Sequence, residues 1–451
     1  MRRLLCGAAV LALTACGKSP DIDPMQQVGP NPVLPEPNEA LISAVGVPKV
    51  IGWKAGETPS VPAGFRIQAF ATGFQHPRNV YTLANGDVLV VETDRVGTEP
   101  VDRPKDPVRD FIMSMAHGGG GAAGKPKQPQ RISLLRDANG DGTAEARTVL
   151  IDNLNSPFGV VQSGASLYVA NTGSILRYPF TPGQTRVGGP PQKVIDLPEG
   201  LINHHWTKSL TASPDGSKLY AGVGSNSNVQ ERGPEAETGR AAIWEVDART
   251  GAYRIFASGL RNPNGLTFYP GSNTLWAVIN ERDEIGSSLV PDYLTSVRPG
   301  AFYGWPYSYY GQHVDPRVRP QRPDLVAKAI PPDYALSSHV APLGLAFYTG
   351  TSFPAMFRGG AFIGEHGSWN RTRFNGYRVA FVRFANGRPT GKPMNFVTGF
   401  LDPHGNAHGR PVGVAVDRTG ALLIADDAGN TIWRVSYVGD AAGSSATQSG
   451  A

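Results

Sequence analysis

The chain has 451 residues, of which 55 are glycine, 39 are proline and only 18 % are charged. Because glycine and proline cost about 1 and 3 kcal/mol inside a helix, this composition excludes a helical bundle and indicates short strands joined by turns. The formal net charge of +5 is not gathered into a Lys/Arg cluster, so nothing favours nucleic acid as a partner. The two cysteines, Cys6 and Cys16, exclude a thiolate metal site, an internal disulfide and a covalently attached haem in the rest of the chain.

The N-terminus has the pattern of an export signal. A basic start, Met1–Arg3, precedes the apolar stretch Leu4–Ala15, which is too short to span a bilayer as a mature helix. Leu13–Cys16 resembles a bacterial lipobox, and the alternative is an ordinary signal peptide that happens to contain cysteine. We predict a lipoprotein signal peptide over residues 1–15 and a lipid-anchored flexible tether over residues 16–60. The predicted location is the periplasmic side of a Gram-negative cell envelope, with membrane contact through the lipid anchor only.

A polar or glycine-containing turn followed by a short apolar strand recurs six times along the chain. The recurring strands begin at Val88, Leu167, Leu219, Leu275, Ala361 and Leu422. A four-stranded propeller blade needs about 40–50 residues, and two insertions, 97–130 and 287–342, account for the longer spacings. We therefore predict an all-β, six-bladed β-propeller over residues 61–437 and a disordered tail over 438–451. A second barrel or sandwich domain, the alternative, would not repeat one turn and strand six times.

Two further features concern the closure of this ring and the place of its site. The strand-like segment Gly64–Ala71 is expected to complete the last blade, which removes an exposed sheet edge. Polar residues follow several of the recurring strands, namely Glu92, Asn171, Asn280, Glu281, Glu365 and His366. Loops at one mouth of a propeller channel commonly carry function, so the site is predicted at that mouth.

The first motif that suggests chemistry is Asp137–Glu145. It places oxygen ligands at alternate positions, Asp137, Asn139 and Asp141, as calcium-binding loops do. The motif lacks the distal glutamate of a complete loop, and a turn capped by its own Asp and Asn side chains explains it equally well. A structural calcium site is therefore one of two open interpretations.

Two later motifs suggest a base and a site for an anion. Asn203–Lys208 contains two histidines directly before a strand, where a histidine suits a general base because its pKa lies near neutrality. Metal binding and hydrogen bonding within the loop are the alternatives for these histidines. Arg261–Gly265 combines a forked cation with two asparagine amides, which suits a small polyanionic ligand, and a turn stabilised by Asn and Pro is the alternative.

The C-terminal third contributes two more groups of this kind. Gly364–Arg371 places His, Trp and Arg in one loop, and His404, His408 and Arg410 precede the last recurring strand. Singly, each residue is explained by a loop hydrogen bond to its own backbone. Loops from different blades converge only if the ring is closed, so their convergence is a prediction of the fold.

In their order along six repeats, these residues resemble the six-bladed soluble aldose dehydrogenases that depend on pyrroloquinoline quinone (PQQ). The resemblance is strongest to the L-sorbosone or pyranose dehydrogenase branch and covers roughly residues 60–437. Its most specific elements are Arg261–Gly265 and the His205 loop that leads to Pro214–Gly216. The stretches 280–283, 303–306 and 367–371 support it.

The resemblance implies a role for each matching residue. His205, rather than His204, would be the general base that takes the sugar hydroxyl proton, while hydride passes from the anomeric carbon to the quinone and Arg261 stabilises the developing charge. Electrons would then pass to a separate acceptor, a quinone or a cytochrome. The implied cofactor-binding residues are Arg78, Lys208, Arg261, Asn262, Asn264, His366, Trp369, Arg371 and Arg410. The backbone carbonyls of Asp283 and Glu284 would hold the calcium ion bound to PQQ.

Two other functions stay open at this stage. A calcium-dependent propeller lactonase or other hydrolase would need several carboxylates lining the channel, for which Glu92, Asp94 and Glu281 are the candidates. A non-catalytic carbohydrate-binding propeller would need no base at all.

Overall fold

A computed structural model describes residues 21–38, 46–94, 129–200 and 203–439. Strands are numbered in chain order, and β1 (Val28–Gly29) and β2 (Phe65–Ala71) precede the first blade. Blade 1 consists of β3 (Pro77–Thr82), β4 (Val88–Glu92), β5 (Arg131–Arg136) and β6 (Ala146–Ile151). Blade 2 consists of β7 (Gly159–Ser163), β8 (Ser166–Asn171), β9 (Ser174–Pro179) and β10 (Gln192–Asp196). Blade 3 consists of β11 (Lys208–Ala212), β12 (Lys218–Val223), β13 (Ala242–Asp247) and β14 (Tyr253–Ser258).

Three further blades complete the ring. The strands of blade 4 are β15 (Asn262–Phe268), β16 (Leu275–Asn280), β17 (Pro291–Val297) and β20 (Tyr334–Ser338), and a small hairpin, β18 (Ser308–Tyr309) with β19 (His313–Val314), lies between its last two strands. Blade 5 consists of β21 (Pro342–Phe347), β22 (Ala361–Glu365), β23 (Arg378–Ala385) and β24 (Arg388–Val397). Blade 6 consists of β25 (Pro411–Val416), β26 (Leu422–Asp426) and β27 (Thr431–Tyr437), together with β2. The described helices are one short α-helix, Pro323–Val326, and 3-10 turns at Pro24–Gln26, Pro234–Glu237 and Ala355–Phe357.

The predicted six-bladed all-β propeller is confirmed, and the recurring strand is the second strand of each blade. Val88, Leu167, Leu219, Leu275, Ala361 and Leu422 fall in β4, β8, β12, β16, β22 and β26. These strands lie between two others within their sheets, and both of their faces are buried against neighbouring blades. This double burial explains why they are the most apolar and most easily recognised part of each repeat.

The N-terminal strand closes the ring, as predicted. β2 pairs antiparallel with β27, from Phe65 opposite Tyr437 to Ala71 opposite Ile432, and so becomes the outermost strand of blade 6. Because β2 leads directly into β3, this pairing holds the first blade next to the last one and covers the outer part of blade 6.

Glycines allow the innermost strands of neighbouring blades to approach closely. Four blades share a Pro-x-Gly-apolar motif at the start of the inner strand, at residues 157–160, 263–266, 342–345 and 411–414. A Cβ at Gly344 would lie 2.2 Å from the backbone oxygen of Val412 in the next blade, and a Cβ at Gly265 would lie 2.9 Å from Leu345. Asn79 and Ser209 stand at the corresponding position of blades 1 and 3.

Gly344→Ala is expected to lower the free energy of unfolding by about 1–3 kcal/mol or more, because the new methyl group meets backbone atoms that cannot rotate away. The matched control is Gly189→Ala, since a Cβ at Gly189 meets nothing within 4 Å. Urea denaturation of both variants measures the difference. Equal stability of the two would mean that the blade contact is looser than described.

In three of these four motifs, the residue before the glycine is apolar and closes the channel. Phe158, Leu343 and Val412 form one buried cluster, although blades 2 and 5 stand on opposite sides of a six-bladed ring, so they meet on its axis. Below them lies a channel of about 380 Å³ lined by the lower parts of all six inner strands. The cluster therefore separates this channel from the face where the inner strands begin, which we call the upper face.

Two segments differ from the sequence-based expectation. Residues 21–38 and 46–60, expected to form a flexible tether, lie against the propeller, and β1 adds a fifth strand to blade 4 by pairing with β20. The insertion expected at 287–342 is shorter, because β17 and β20 supply the two outer strands of blade 4. The predicted signal peptide and lipobox, nearly all of the 97–130 insertion and residues 440–451 lie outside the described residues. Within the described ranges, no helix is long and apolar enough to cross a membrane.

Candidate active site

The loops of the upper face bring together most of the predicted site residues. On this face the second strand of each blade ends and the inner strand of the next blade begins. His205 and Arg261 precede β11 and β15, Asp283 follows β16, and His366 and Arg410 lie between β22 and β25. The convergence predicted from a closed ring is therefore present in the structure.

His205 is held through one ring nitrogen, and its other nitrogen has no hydrogen-bond partner among the described residues. Its Nδ1 lies 2.8 Å from the carbonyl oxygen of Ser225 and 3.0 Å from Oγ of the same residue. A carbonyl oxygen only accepts hydrogen bonds, so Nδ1 carries the ring proton and Nε2 keeps its lone pair. Burial, followed by the charge of Arg261, holds the pKa of His205 well below its usual range. The ring is therefore neutral, and able to accept a proton, at neutral pH.

Ser225 and Gly224 join His205 to the Arg261 loop. The backbone N–H of Ser225 donates to the carbonyl of Arg261 over 2.7 Å. A Cβ at Gly224 would lie 2.5 Å from Cβ of His205 and 2.5 Å from Oδ1 of Asn262. Only glycine allows these two side chains to come so close, and Oδ1 of Asn262 is buried without a hydrogen-bond partner among the described residues.

Arg261 is buried and its guanidinium is fixed by several acceptors. It donates to the carbonyl oxygen of Glu281 (2.7 Å), to Oδ1 of Asn228 (3.1 Å) and to Oδ2 of Asp283 (2.9 Å). Burial alone would raise the pKa of Asp283, but Arg261 and a hydrogen bond with His339 lower it to about 2. Asp283 is therefore ionised over the physiological pH range and forms an ion pair with the buried Arg261.

A second charged group lies across the mouth, at blades 5, 6 and 1. Asp427 contacts Arg78 (2.5 Å) and Nε2 of His366 (2.9 Å). Arg410 donates to the carbonyl oxygen of His366 over 3.1 Å. Burial, and then the charge of Arg410, lowers the pKa of His366 to about 3. Nε of Arg78 is buried without a partner among the described residues, and its guanidinium lies 5.8 Å from the ring centre of Trp206.

Three predicted cofactor-binding residues have their side chains engaged elsewhere. Nζ of Lys208 donates to the carbonyl oxygens of His205 and Trp206, and Asn264 accepts from Thr207 and Ser209. Arg371 donates to Oγ of Ser338 and to the carbonyl of Ile22, in the N-terminal segment. The fold therefore uses these polar groups for internal contacts. Trp369 accepts a backbone hydrogen bond from Gly46.

The two predicted metal groups lie on different parts of the propeller. Asp283 and Glu284 are at the upper face, where the carbonyl of Asp283 accepts from Nδ2 of Asn228 and the Glu284 carboxylate pairs with Arg317. Asp137, Asn139 and Asp141 form the turn between β5 and β6, at the opposite face. There the carboxylates of Asp137, Asp141 and Glu145 come within 4.8 Å of one another. Backbone N–H groups of that same turn donate to Asp137 and Asp141, as expected for a capped turn.

Four functional candidates were absent from the sequence-based set: Asn228, His339, Asp427 and Trp206. Asp427 directly follows the sixth recurring strand, and the rule that selected Glu92 and Glu365 would also have selected it. Asn228 lies in the connection between β12 and β13, and His339 lies in the short connection between β20 and β21, which does not follow a recurring strand. Only the folded chain shows that Asn228 contacts Arg261 and that His339 contacts Asp283.

Two of the three carboxylates proposed for a hydrolase, Glu92 and Glu281, are buried. Glu92 is fully buried and accepts from Arg131, Arg147 and Ser133. Glu281 is also buried, and burial raises its pKa to about 7. Neither side chain faces the mouth as an exposed metal ligand would.

Solved structures with a similar fold include a pyranose dehydrogenase PQQ domain and an AA12 carbohydrate-active enzyme. The PQQ domain of pyranose dehydrogenase from Coprinopsis cinerea, in its holo form, matches with a TM-score of 0.66 at 19 % identity, over 88 % of this chain and 100 % of that domain. The calcium structure of an AA12 carbohydrate-active enzyme from Trichoderma reesei matches with a TM-score of 0.65 at 20 % identity, over 84 % and 97 % of the two chains. These identities support a shared fold.

Sequence comparison defines the family. A Borreliella burgdorferi protein described as uncharacterized is 32 % identical over 243 residues, which cover 53 % of this chain and 63 % of that protein. The chain thus spans less than two thirds of that relative's length. The model of the TrAA12-like family matches residues 130–298 and 322–438, which include blades from both halves of the ring. On this match, the chain belongs to the TrAA12-like family.

Proposed function

We propose that this protein is a PQQ-dependent sugar dehydrogenase of the L-sorbosone or pyranose type. The observation that carries the proposal is a neutral histidine, whose Nε2 has no partner among the described residues, next to a buried arginine at the mouth. The similar folds of a pyranose dehydrogenase PQQ domain and of an AA12 enzyme support oxidation of a sugar. The particular sugar and the electron acceptor belong to the proposal.

The residues at the mouth fit a flat polyanion. Arg78, Arg261 and Arg410 bring three cations to the mouth, and Asp427 and Asp283 pair with the first two. Nε of Arg78 and Oδ1 of Asn262 are buried polar atoms without partners among the described residues. Trp206 adds an aromatic face beside Arg78. Arg78, Asn262, His366 and Arg410 would therefore hold the cofactor, and Lys208, Asn264 and Arg371 would support the loops around it. When bound, PQQ supplies a two-electron acceptor for hydride.

The calcium position is also compatible with the residues present. The carbonyl oxygen of Asp283 accepts one hydrogen bond from Asn228, and a carbonyl has a second lone pair for a cation. Glu284 has a positive φ of 70°, which turns its peptide group out of the usual backbone direction. Hard oxygen donors of this kind are the ligands that calcium prefers.

Two residues of the chain act directly in the reaction in this proposal, His205 on the sugar and Arg261 on the charge that develops on the acceptor. Nε2 of His205 accepts the proton of the sugar hydroxyl, while the Ser225 carbonyl holds the opposite nitrogen and stabilises the imidazolium that forms. Arg261 is fixed before the reaction by Asn228, Glu281 and Asp283, so it stabilises developing negative charge without reorganising.

The pH profile provides a test of the histidine's role. Because the pKa of His205 lies well below 6.5, the base is already unprotonated at pH 6.5. We expect kcat to stay constant from neutral pH down through pH 6.5 and to fall only in more acidic buffer, where His205 gains a proton. Stopped-flow measurement of dye reduction from pH 4.5 to 8 checks this. A loss of kcat centred near pH 6.5 would contradict a buried, neutral base.

The cellular arrangement is proposed from the sequence. We propose that Cys16 carries a lipid, that the protein faces the periplasm, and that a separate quinone or cytochrome accepts the electrons. Labelling with a radioactive fatty acid is expected for the wild-type chain and not for Cys16→Ala. Equal labelling of both would place the lipid elsewhere.

The decisive experiment follows dye reduction by the purified protein with calcium and PQQ across a panel of aldoses and sorbosone. Sugar-dependent reduction that disappears without PQQ would support the proposal and begin to identify the substrate. If PQQ produces neither turnover nor a rise in melting temperature, the proposal fails. Lactone cleavage with calcium alone would then favour a hydrolase, and sugar binding without turnover would favour a binding protein.

A further inference from the structure

The N-terminal segment runs along the rim of the upper face and contacts three blades in turn. Residues 21–38 and 46–54, which we call the N-terminal band, touch the loop after β16, the loop between β22 and β23, and the loop before β25. Their backbone contacts are Asn38 to Ile285, Gly46 to Trp369 and Ile51 to Ala407, each 2.8 Å. Each of these loops also carries a residue of the candidate site.

The first anchor of the band is Gln27, whose side chain is fully buried. Its Nε2 donates to the carbonyl of Ser288 (2.5 Å), and its Oε1 accepts from Oγ of Ser338 (2.9 Å). Ser338 in turn accepts from Arg371 (2.5 Å). Gln27 thus ties the loop that contains Asp283 and Glu284 to the end of β20 and to the Arg371 loop.

The same two loops are joined a second time near the site. The backbone N–H of Glu284 donates to Oδ1 of Asn370 over 2.8 Å. Arg371, expected from the sequence to bind the cofactor, instead directs its guanidinium to Ser338 and to Ile22 of the band. Its buried cation therefore holds the band in place.

The second anchor is Trp53. Its Nε1 donates to Oδ2 of Asp426 over 2.7 Å, and its ring stacks on His408 with centroids 5.0 Å apart. Oδ1 of Asp426 accepts from the backbone N–H of Arg410 (2.7 Å). Asp426 also directly precedes Asp427, which contacts Arg78 and His366. Through Asp426, Trp53 therefore connects the band to the loop that carries Arg410 and to the loop that carries Asp427.

We propose that the N-terminal band is a clamp that orders the loops of the cofactor site, with Gln27 and Trp53 as positioning residues. The inference rests on the proposed function for the identity of the ligand, since an anionic cofactor would bind the loops that the clamp holds. Loops fixed in advance lose less conformational entropy when a ligand binds, so the clamp raises affinity without touching the ligand.

The test compares Gln27→Ala, Trp53→Ala and Trp53→Phe in the full chain, with Phe65→Ala as the control. Phe65 is a partly buried aromatic residue of blade 6, the blade on which Trp53 packs. Its ring contacts Phe353, Phe357 and Tyr437 at the end of the blade away from the upper face. We expect Trp53→Ala and Gln27→Ala to weaken PQQ binding about tenfold, which corresponds to about 1.4 kcal/mol. Trp53→Phe, which keeps the ring but loses the N–H, should fall between wild type and Trp53→Ala.

Amide hydrogen exchange of the ligand-free proteins separates this inference from the proposed function. Exchange is expected to accelerate in residues 283–288, 369–372 and 407–410 of the band variants and to stay unchanged there in Phe65→Ala. Unchanged protection in the band variants would overturn the clamp, as would equal loss of PQQ affinity in the control. If the wild type binds no PQQ, the proposed function fails, and loop protection alone decides the clamp.

Discussion

Replacement of His205 by alanine is expected to lower sugar-dependent turnover by about 10² to 10⁴-fold, the usual contribution of a general base. The expected loss is in kcat, because the substitution removes Nε2 and leaves the cations that would bind the cofactor in place. His205 also makes no hydrogen bond to Arg78, Arg410 or Asn262 within the described residues. Dye-reduction kinetics and PQQ titration of the same variant provide the two measurements.

His204→Ala is the matched control for this prediction. The two histidines are adjacent in sequence and their ring centroids lie 4.6 Å apart, but His204 is exposed and only His205 has its Nδ1 on the Ser225 carbonyl. His204→Ala should therefore keep most of the turnover. Equal losses in the two variants would argue that the loop as a whole, rather than one base, is required. Full turnover in His205→Ala would remove this residue from the mechanism.

Arg261→Gln is expected to lower turnover by about 10² to 10³-fold, comparable to the loss of one preorganised donor at a developing charge. It should also lower the free energy of unfolding by about 3–5 kcal/mol, because the buried carboxylate of Asp283 loses its guanidinium partner. Steady-state kinetics measure the first effect and urea denaturation measures the second.

The double variant Arg261→Gln with Asp283→Asn separates the two effects. Neutralising Asp283 removes the charge that has lost its guanidinium partner, so stability should return in large part while turnover stays low. If turnover returned together with stability, Arg261 would be a structural residue, and charge stabilisation would have to come from elsewhere at the mouth. If neither returned, Asp283 itself would have a role beyond pairing with Arg261.

Both predictions concern the side of the mouth formed by blades 3 and 4. The ion pair there explains why this side is suited to proton transfer. Asp283 compensates Arg261, so the arginine can stay buried, and Arg261 in turn helps to keep His205 neutral. On the other side, Asp427 lies between Arg78 and His366. The proposed division is a proton-transfer side at blades 3 and 4 and a cofactor-holding side at blades 5, 6 and 1.

The amino-acid sequence by itself determined the propeller and the main features of the site. Each recurring strand, from Val88 to Leu422, is buried on both faces, so its apolar run reports directly on the fold. His205 and Arg261 were also identifiable, because turns that contain such side chains directly before an inner strand must lie at the channel mouth. In both cases a short stretch of sequence is sufficient, because the residues of that stretch determine its own conformation and its place in the blade.

Only the tertiary structure decided which polar groups remain free for a ligand. Arg371 and Lys208 have the right chemistry for an anion, but their partners, Ile22 with Ser338 and the His205 and Trp206 carbonyls, come from contacts that motif matching does not contain. The N-terminal segment likewise reads as a tether, because its proline-rich composition gives no strand or helix period. It becomes ordered by packing Trp53 and Gln27 onto blades that lie hundreds of residues away in the chain. The chemistry of a side chain shows what it can bind, whereas the folded ring determines which hydrogen-bond partner lies next to it.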